Sequence, residues 1–192
     1  MSVSDPTSAH RAEPDWSVIE LRIEKIADLF DPFDPFPTPS RDLSHTAEEF
    51  IVGWARESAL TTALRIVVHA PIAECGDAAI ASLQNAVRNH FRARAQRVRG
   101  DLHELFRVGR QSLLIGLGVL ALCIAASRVI EAMLGDAPLA PFLSEGLIIL
   151  GWVANWRPLE IFLYDWWPLA QRRRLFDRLS AASLSAAPIT TG

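Results

Sequence analysis

The sequence predicts a membrane α-helical hairpin of two transmembrane helices, joined to a small N-terminal cytoplasmic α/β domain of β-α-β-α order. Three observations predict it. Residues 111–127 run for seventeen positions without a charged side chain. A second apolar run, 146–156, is carried on to the adjacent tryptophans Trp166 and Trp167. Arginines crowd the outer flanks of these runs, whereas the loop between them, 135–145, holds none.

A span needs roughly 17–25 mostly apolar residues to cross about 30 Å of hydrocarbon. Residues 111–127 meet that length, and the helix extends to Leu134 if Arg128 and Glu131 reach the far headgroups. The second run is shorter. From Glu145 to Arg157 a helix rises about 18 Å, too little to cross. It therefore continues through Arg157 and Glu160 to Trp166 and Trp167, which with Tyr164 have the make-up of an interfacial aromatic belt. This places the spans at 111–134 and 143–168 within a membrane region 107–168.

Orientation follows from the basic residues. Arg107 and Arg110 precede the first span, with Arg88, Arg92, Arg94, Arg97 and Arg99 upstream; Arg172, Arg173, Arg174 and Arg178 follow the second. The positive-inside rule then puts both termini in the cytoplasm and the loop outside the inner membrane. A basic amphipathic helix beside a span also suits anionic lipid, so Arg88, Arg92, Arg107, Arg110, Arg172, Arg173 and Arg174 are candidate headgroup contacts. Lys25 is the single lysine among 19 basic residues, a composition that suits a GC-rich bacterial genome.

Ionisable groups inside a span are costly and mark candidate sites. Counted back from Trp167, Arg157 lies about 15 Å deep, near the middle of the bilayer. Arg157, Glu160 and Tyr164 are spaced to share a face. Pro158 removes a backbone donor and frees the carbonyl near Ala154. With Asn155 these residues form a candidate intramembrane polar site, either a ligand site or a lock within the hairpin, and an antiparallel partner helix sets Arg157 near Ala121 and Cys123.

The N-terminal part is read as follows. Residues 1–15 are polar, predict disorder and carry no apolar core for a cleavable signal. Over 17–29, Ile19, Leu21 and Ile23 alternate with charged residues as in a half-buried strand, although Ile19, Ile23 and Ile26 also fit a helix. Four prolines make 31–42 a loop whose polyproline-like path places Phe30, Phe33 and Phe36 on one side. Thr46 and Glu49 have capping-box spacing before a helix over 47–58 that presents Phe50, Ile51, Trp54 and Ala55. Residues 63–70 are β-branched at the centre and stopped by Pro71, as in a buried strand. From Asp77, apolar residues step by three, four or seven to Leu105, a long amphipathic helix that Gly100 and Asp101 are expected to interrupt. The cytoplasmic domain is thus 16–106, and 169–192 is a basic then Ala/Ser-rich cytoplasmic tail that needs no fold. Two strands make a small sheet, which calls for a partner.

No cofactor or metal is expected: the five histidines lack ligand spacing, and no nucleotide-binding or nucleophile motif occurs. Nucleic acid is not an expected partner either, since the basic helix has no recognition motif. Cys75 and Cys123 cannot build a disulfide framework. His69 reads as a satisfied structural histidine. The expected object is not an enzyme. It is a homo-oligomeric scaffold or accessory subunit that contacts membrane lipids or another membrane protein; the alternative is a small oligomeric transport or channel-like component using Arg157 and Glu160.

Overall fold

The computed structural model describes residues 16–35, 41–58, 62–135 and 137–189; the expectations for residues 1–15 and for Phe36 lie outside these. In chain order the elements are β1 (Trp16–Arg22), a 3-10 turn (Ile26–Leu29), α1 (His45–Glu57), β2 (Ala63–Pro71), a second 3-10 turn (Ile72–Glu74), α2 (Asp77–Leu134), α3 (Leu139–Val153), α4 (Trp156–Glu160), a π-helical turn (Ile161–Asp165), α5 (Trp166–Ser180) and β3 (Ser183–Ile189). They form two compact units, Met1–Ala93 with Leu175–Gly192, and Arg94–Arg174.

The first unit is built on a parallel three-stranded sheet of order β1-β2-β3. Strict alternation in β2 buries Leu64, Ile66, Val68 and Ala70 and leaves Arg65, Val67 and His69 half-buried, so one face of the sheet is covered. The register sets Ile19 beside Ile66 and Leu21 beside Val68, and carries these rows on to Leu184 and Ala186. Ile51 and Ala55 of α1, Leu83, Val87 and Phe91 of α2, and Phe176 and Leu179 of α5 complete the core. Phe91 and Phe176 stack with centroids 6.1 Å apart.

Three expectations change. The Ala/Ser-rich stretch is no unfolded tail: Ser183–Ile189 is the third strand, and Trp166–Ser180 is helix. Serine and alanine are poor strand formers and Pro188 lacks a donor, so the local signal is weak. The stretch is tolerated because β3 is an edge strand, with its ladder supplied by β2. The under-sized sheet is therefore enlarged by the chain itself.

The cap of α1 is Ser44, whose Oγ accepts from the Ala47 N–H at 3.3 Å, and not Thr46. An antiparallel bridge between Phe30 and Leu43, with the Ser44 N–H donating to Leu29 O, fixes the helix start two residues earlier. Phe30 is buried by this bridge, so among the described residues the loop displays Phe33 alone of the expected aromatic row, 91% exposed.

Finally, α2 runs unbroken through Gly100 and Asp101 for 58 residues. A helical glycine costs about 1 kcal/mol relative to alanine. The buried residues on either side, Ala95, Val98 and Leu102, keep one continuous seam through it.

Candidate functional site

The second unit is a helical hairpin, and its seam changes chemistry along its length. On α2 the buried positions are 95, 98, 102, 109, 116, 123 and 127, steps of three, four or seven that keep one stripe facing the returning chain. Up to Leu102 these are alanine, valine and leucine, and Phe106 stacks on Phe162 at 6.1 Å. From there the stripe reads Gly109, Gly116, Cys123 and Ser127, met on the returning side by Ala140, Ser144, Gly151, Asn155 and Pro158. A Cβ added to Gly109 would fall 2.8 Å from Ile161, and one added to Gly151 would fall 2.7 Å from Leu120. The backbones approach closely because these positions have no side chain.

The outer surface changes at the same level. Below residue 109 it is arginine, histidine and glutamate; beyond it stand exposed Leu114, Ile115, Leu122, Ile149, Leu150 and Trp152. Both apolar windows are long enough to cross a membrane, and only 17% and 22% of them are buried. A helix in the core of a water-soluble protein buries most of such a window. Small residues inside and large apolar residues outside is the arrangement of helices that pack in lipid.

Asn155 sits in the seam at the one interruption of the returning helix. Its backbone N–H turns to Trp152 O, leaving Gly151 O without its usual helical partner. Asn155 Nδ2 donates to that carbonyl at 2.9 Å and across the hairpin to Gly116 O at 3.1 Å. Both acceptors are carbonyls, so the orientation of the amide is determined. The break falls at Ala154 and Asn155, one turn before Pro158, as the missing proline donor requires.

Arg157 makes the expected pair with Glu160 at 3.1 Å, and a second with Asp165 at 3.2 Å. The cluster faces outward, with the arginine side chain 62% exposed. Its level also differs from expectation. Gly116 lies opposite Ala154 and Asn155, and Gly109 opposite Ile161 and Phe162, so Arg157 falls level with Leu113 and Leu114, not with Ala121 and Cys123. That is about one helical turn inside Arg110. Both acidic partners lie further along the chain, so the guanidinium reaches back toward the charged end of the hairpin, as a snorkelling arginine does.

The π-helical turn explains which acid is used. In an α-helix Asp165 would sit roughly 80° around the axis from Arg157. The wider turn over Ile161–Asp165 removes part of that offset and brings Asp165 onto the arginine's stripe. Tyr164, expected there by its spacing from Glu160, is 70% exposed and makes no polar contact with the cluster.

Of the candidate lipid contacts, Arg107 and Arg110 stand where the exposed surface of α2 turns from charged to apolar. Trp166 and Trp167, with ring centroids 6.2 Å apart, follow about 7 Å beyond Ile161 along the returning helix. Arg172, Arg173 and Arg174 lie some 16–20 Å beyond Ile161 along the returning helix, more than a Debye length of about 10 Å from that boundary. Arg88 and Arg92 belong to the first unit. At the opposite end, Arg128 pairs with Glu131 at 3.5 Å.

The first unit holds a cluster that histidine spacing could not reveal. His90 is buried on α2, its Nε2 3.2 Å from Glu48 Oε2 and its Nδ1 3.0 Å from Asp42 Oδ1, with the Leu43 N–H also directed at Nδ1. Its partners stand more than forty residues earlier in the chain, and the cluster ties the start of α1 to α2. His90→Leu removes the buried ring that bridges Asp42 and Glu48 and is expected to lower the stability of the first unit by about 1–2 kcal/mol. A lowered urea midpoint of the full chain, followed by near-ultraviolet circular dichroism, checks this. His69, by contrast, has no hydrogen-bond partner for Nε2 among the described residues; the nearest carboxylate, of Glu20, is 3.6 Å away.

No family model, curated protein or solved structure matches the chain.

Proposed function

We propose that the protein is an integral inner-membrane protein, a membrane-anchored scaffold or accessory subunit whose hairpin holds the α/β unit at the cytoplasmic face. The observation that carries the reading is the inversion of packing at residue 109, from large buried and charged exposed residues to small buried and large apolar exposed ones. Arg107 and Arg110 contact anionic headgroups, and the arginine asymmetry orients the hairpin with both ends inside. A scaffold needs a surface to offer, and exposed Phe33, Phe50 and Trp54 supply apolar contact area on the first unit. The chain acts as a homo-oligomer or with another membrane protein. The transport alternative draws no support from the register, because Arg157 and Glu160 stand at one end of the apolar zone whereas a pore needs polar groups along its length.

Two experiments test this. The protein is expected to stay in the membrane pellet after alkaline carbonate extraction, and release into the supernatant sinks the membrane reading. In intact cells a membrane-impermeant maleimide is expected to label a cysteine placed at Ala137, in the loop, and to spare Cys75. The reverse pattern inverts the topology. Recovery as a lone monomer that crosslinks to nothing in cells removes the scaffold.

A further inference from the structure

We propose that Arg157, Glu160 and Asp165 bind the headgroup of a phospholipid bearing a primary ammonium, of the ethanolamine type. The inference rests on the membrane reading above and adds to it a ligand class. Both ion pairs of Arg157 use one nitrogen, Nη1. Among the described residues Nε and Nη2 have no acceptor, which leaves a planar fork of two donors matched to two oxygens of a phosphate. Glu160 is fully engaged, Oε2 by Arg157 and Oε1 by the Trp156 indole at 3.1 Å. Asp165 gives only Oδ2 to the arginine; among the described residues its Oδ1 has no donor. Among the described residues the cluster therefore keeps two donors and one carboxylate oxygen without a partner, on side chains joined by the Arg157–Asp165 ion pair.

That pairing selects among headgroups by charge. With one arginine and two carboxylates the cluster carries a net charge of -1. A phosphate with a glycerol or other uncharged substituent adds a second negative charge and leaves Asp165 uncompensated. A phosphate followed by an ammonium places one charge on the arginine fork and the other on Asp165. A quaternary choline supplies the charge but no N–H for Oδ1. The level fits as well, since the cluster lies where the apolar surface ends and headgroups begin. Exposed Trp156, Leu159 and Leu163 border it with apolar surface on which an acyl chain can lie.

The test uses the full chain in detergent micelles, titrated with phosphatidylethanolamine, phosphatidylglycerol or phosphatidylcholine of identical acyl chains, with bound lipid counted by native mass spectrometry. Ethanolamine lipid is expected to be retained about 3- to 5-fold more than either other lipid, the range of one partly exposed ion pair. Asp165→Asn is expected to abolish the preference and Arg157→Gln to weaken all phospholipid retention; Arg128→Gln, at the far end, leaves the preference intact. Arg157 and Arg128 are exposed and Asp165 is half-buried, and an unchanged helical circular dichroism signal shows that the hairpin persists in each variant. Equal retention by the unaltered protein, a preference for phosphatidylglycerol, or a preference that survives Asp165→Asn overturns the proposal. So does a copurifying polypeptide that crosslinks through this cluster. A protein that stays dispersed without detergent refutes the membrane reading itself, a separate failure.

Discussion

Ending the chain after Ala182 is expected to unfold much of the first unit while leaving the hairpin helical. The truncation removes β3, and with it the partner along β2 from Arg65 to Pro71. Net ladder hydrogen bonds are worth roughly 0.5–1.5 kcal/mol each, so losing about half a dozen costs some 3–6 kcal/mol. That is a large share of the 5–15 kcal/mol or so that holds a domain together. Leu184 and Ala186 also leave the core rows that begin at Ile19 and Leu21, exposing Ile66 and Val68 to water. In the full-length background the signature is specific: strand content falls, trypsin gains access to Arg65, and the helical signal of α2 and α3 persists. A truncated protein as resistant to trypsin as the intact one would show that β1 and β2 suffice and that the strand is ornamental.

The same strand marks where sequence reading stopped. Residues 63–70 declared themselves through a β-branched run, and 16–22 through alternation, because each pattern is local. β3 has neither pattern; it is a strand because β2 has an open edge, which is a property of the sheet. The long helix was legible from its apolar period, yet its expected interruption at Gly100 was not realised. A glycine's local cost of about 1 kcal/mol is outweighed by packing on both sides. Thr46 lost the cap to Ser44 for a similar reason, as the Phe30–Leu43 bridge set the start of the helix.

The polar site was legible in membership more than in place. Asn155, Arg157 and Glu160 were named from composition, but they separate: Asn155 turns into the seam, whereas the ion pairs face out. Depth counted from Trp167 assumed that the apolar zone reaches the tryptophans. The pairing of Gly109 with Ile161 instead sets Arg157 about one helical turn from Arg110 along the hairpin. Asp165 was missed because the π-helical turn, invisible in residue spacing, moves it onto the arginine's stripe. His90 was missed because its carboxylates come from another segment.

Gly116→Leu and Gly118→Leu are expected to have opposite effects although they lie two residues apart and make the same chemical change. At Gly116 the first side-chain carbon alone would fall 2.7 Å from Asn155 Oδ1 and 3.0 Å from Ala154 O, so a leucine must force the helices apart. The bond from Asn155 Nδ2 to Gly116 O is lost with that separation, which leaves this buried amide with Gly151 O alone. Overpacking of this kind costs about 1–3 kcal/mol, and the stranded amide adds about 1 kcal/mol or more. At Gly118 nothing lies within 4 Å, and the new side chain points away from the seam. In lipid an exposed leucine is favourable by a few tenths of a kcal/mol, whereas in water it enlarges an apolar patch and promotes aggregation. The pair thus measures both the seam and its solvent. In membranes, Gly116→Leu is expected to abolish a disulfide engineered between α2 and α3 away from the seam glycines, while Gly118→Leu leaves crosslinking and expression unchanged. Equal damage from both variants would mean that the outer face of the hairpin is covered by protein, and the lipid-facing assignment of residues 111–127 would fall with it.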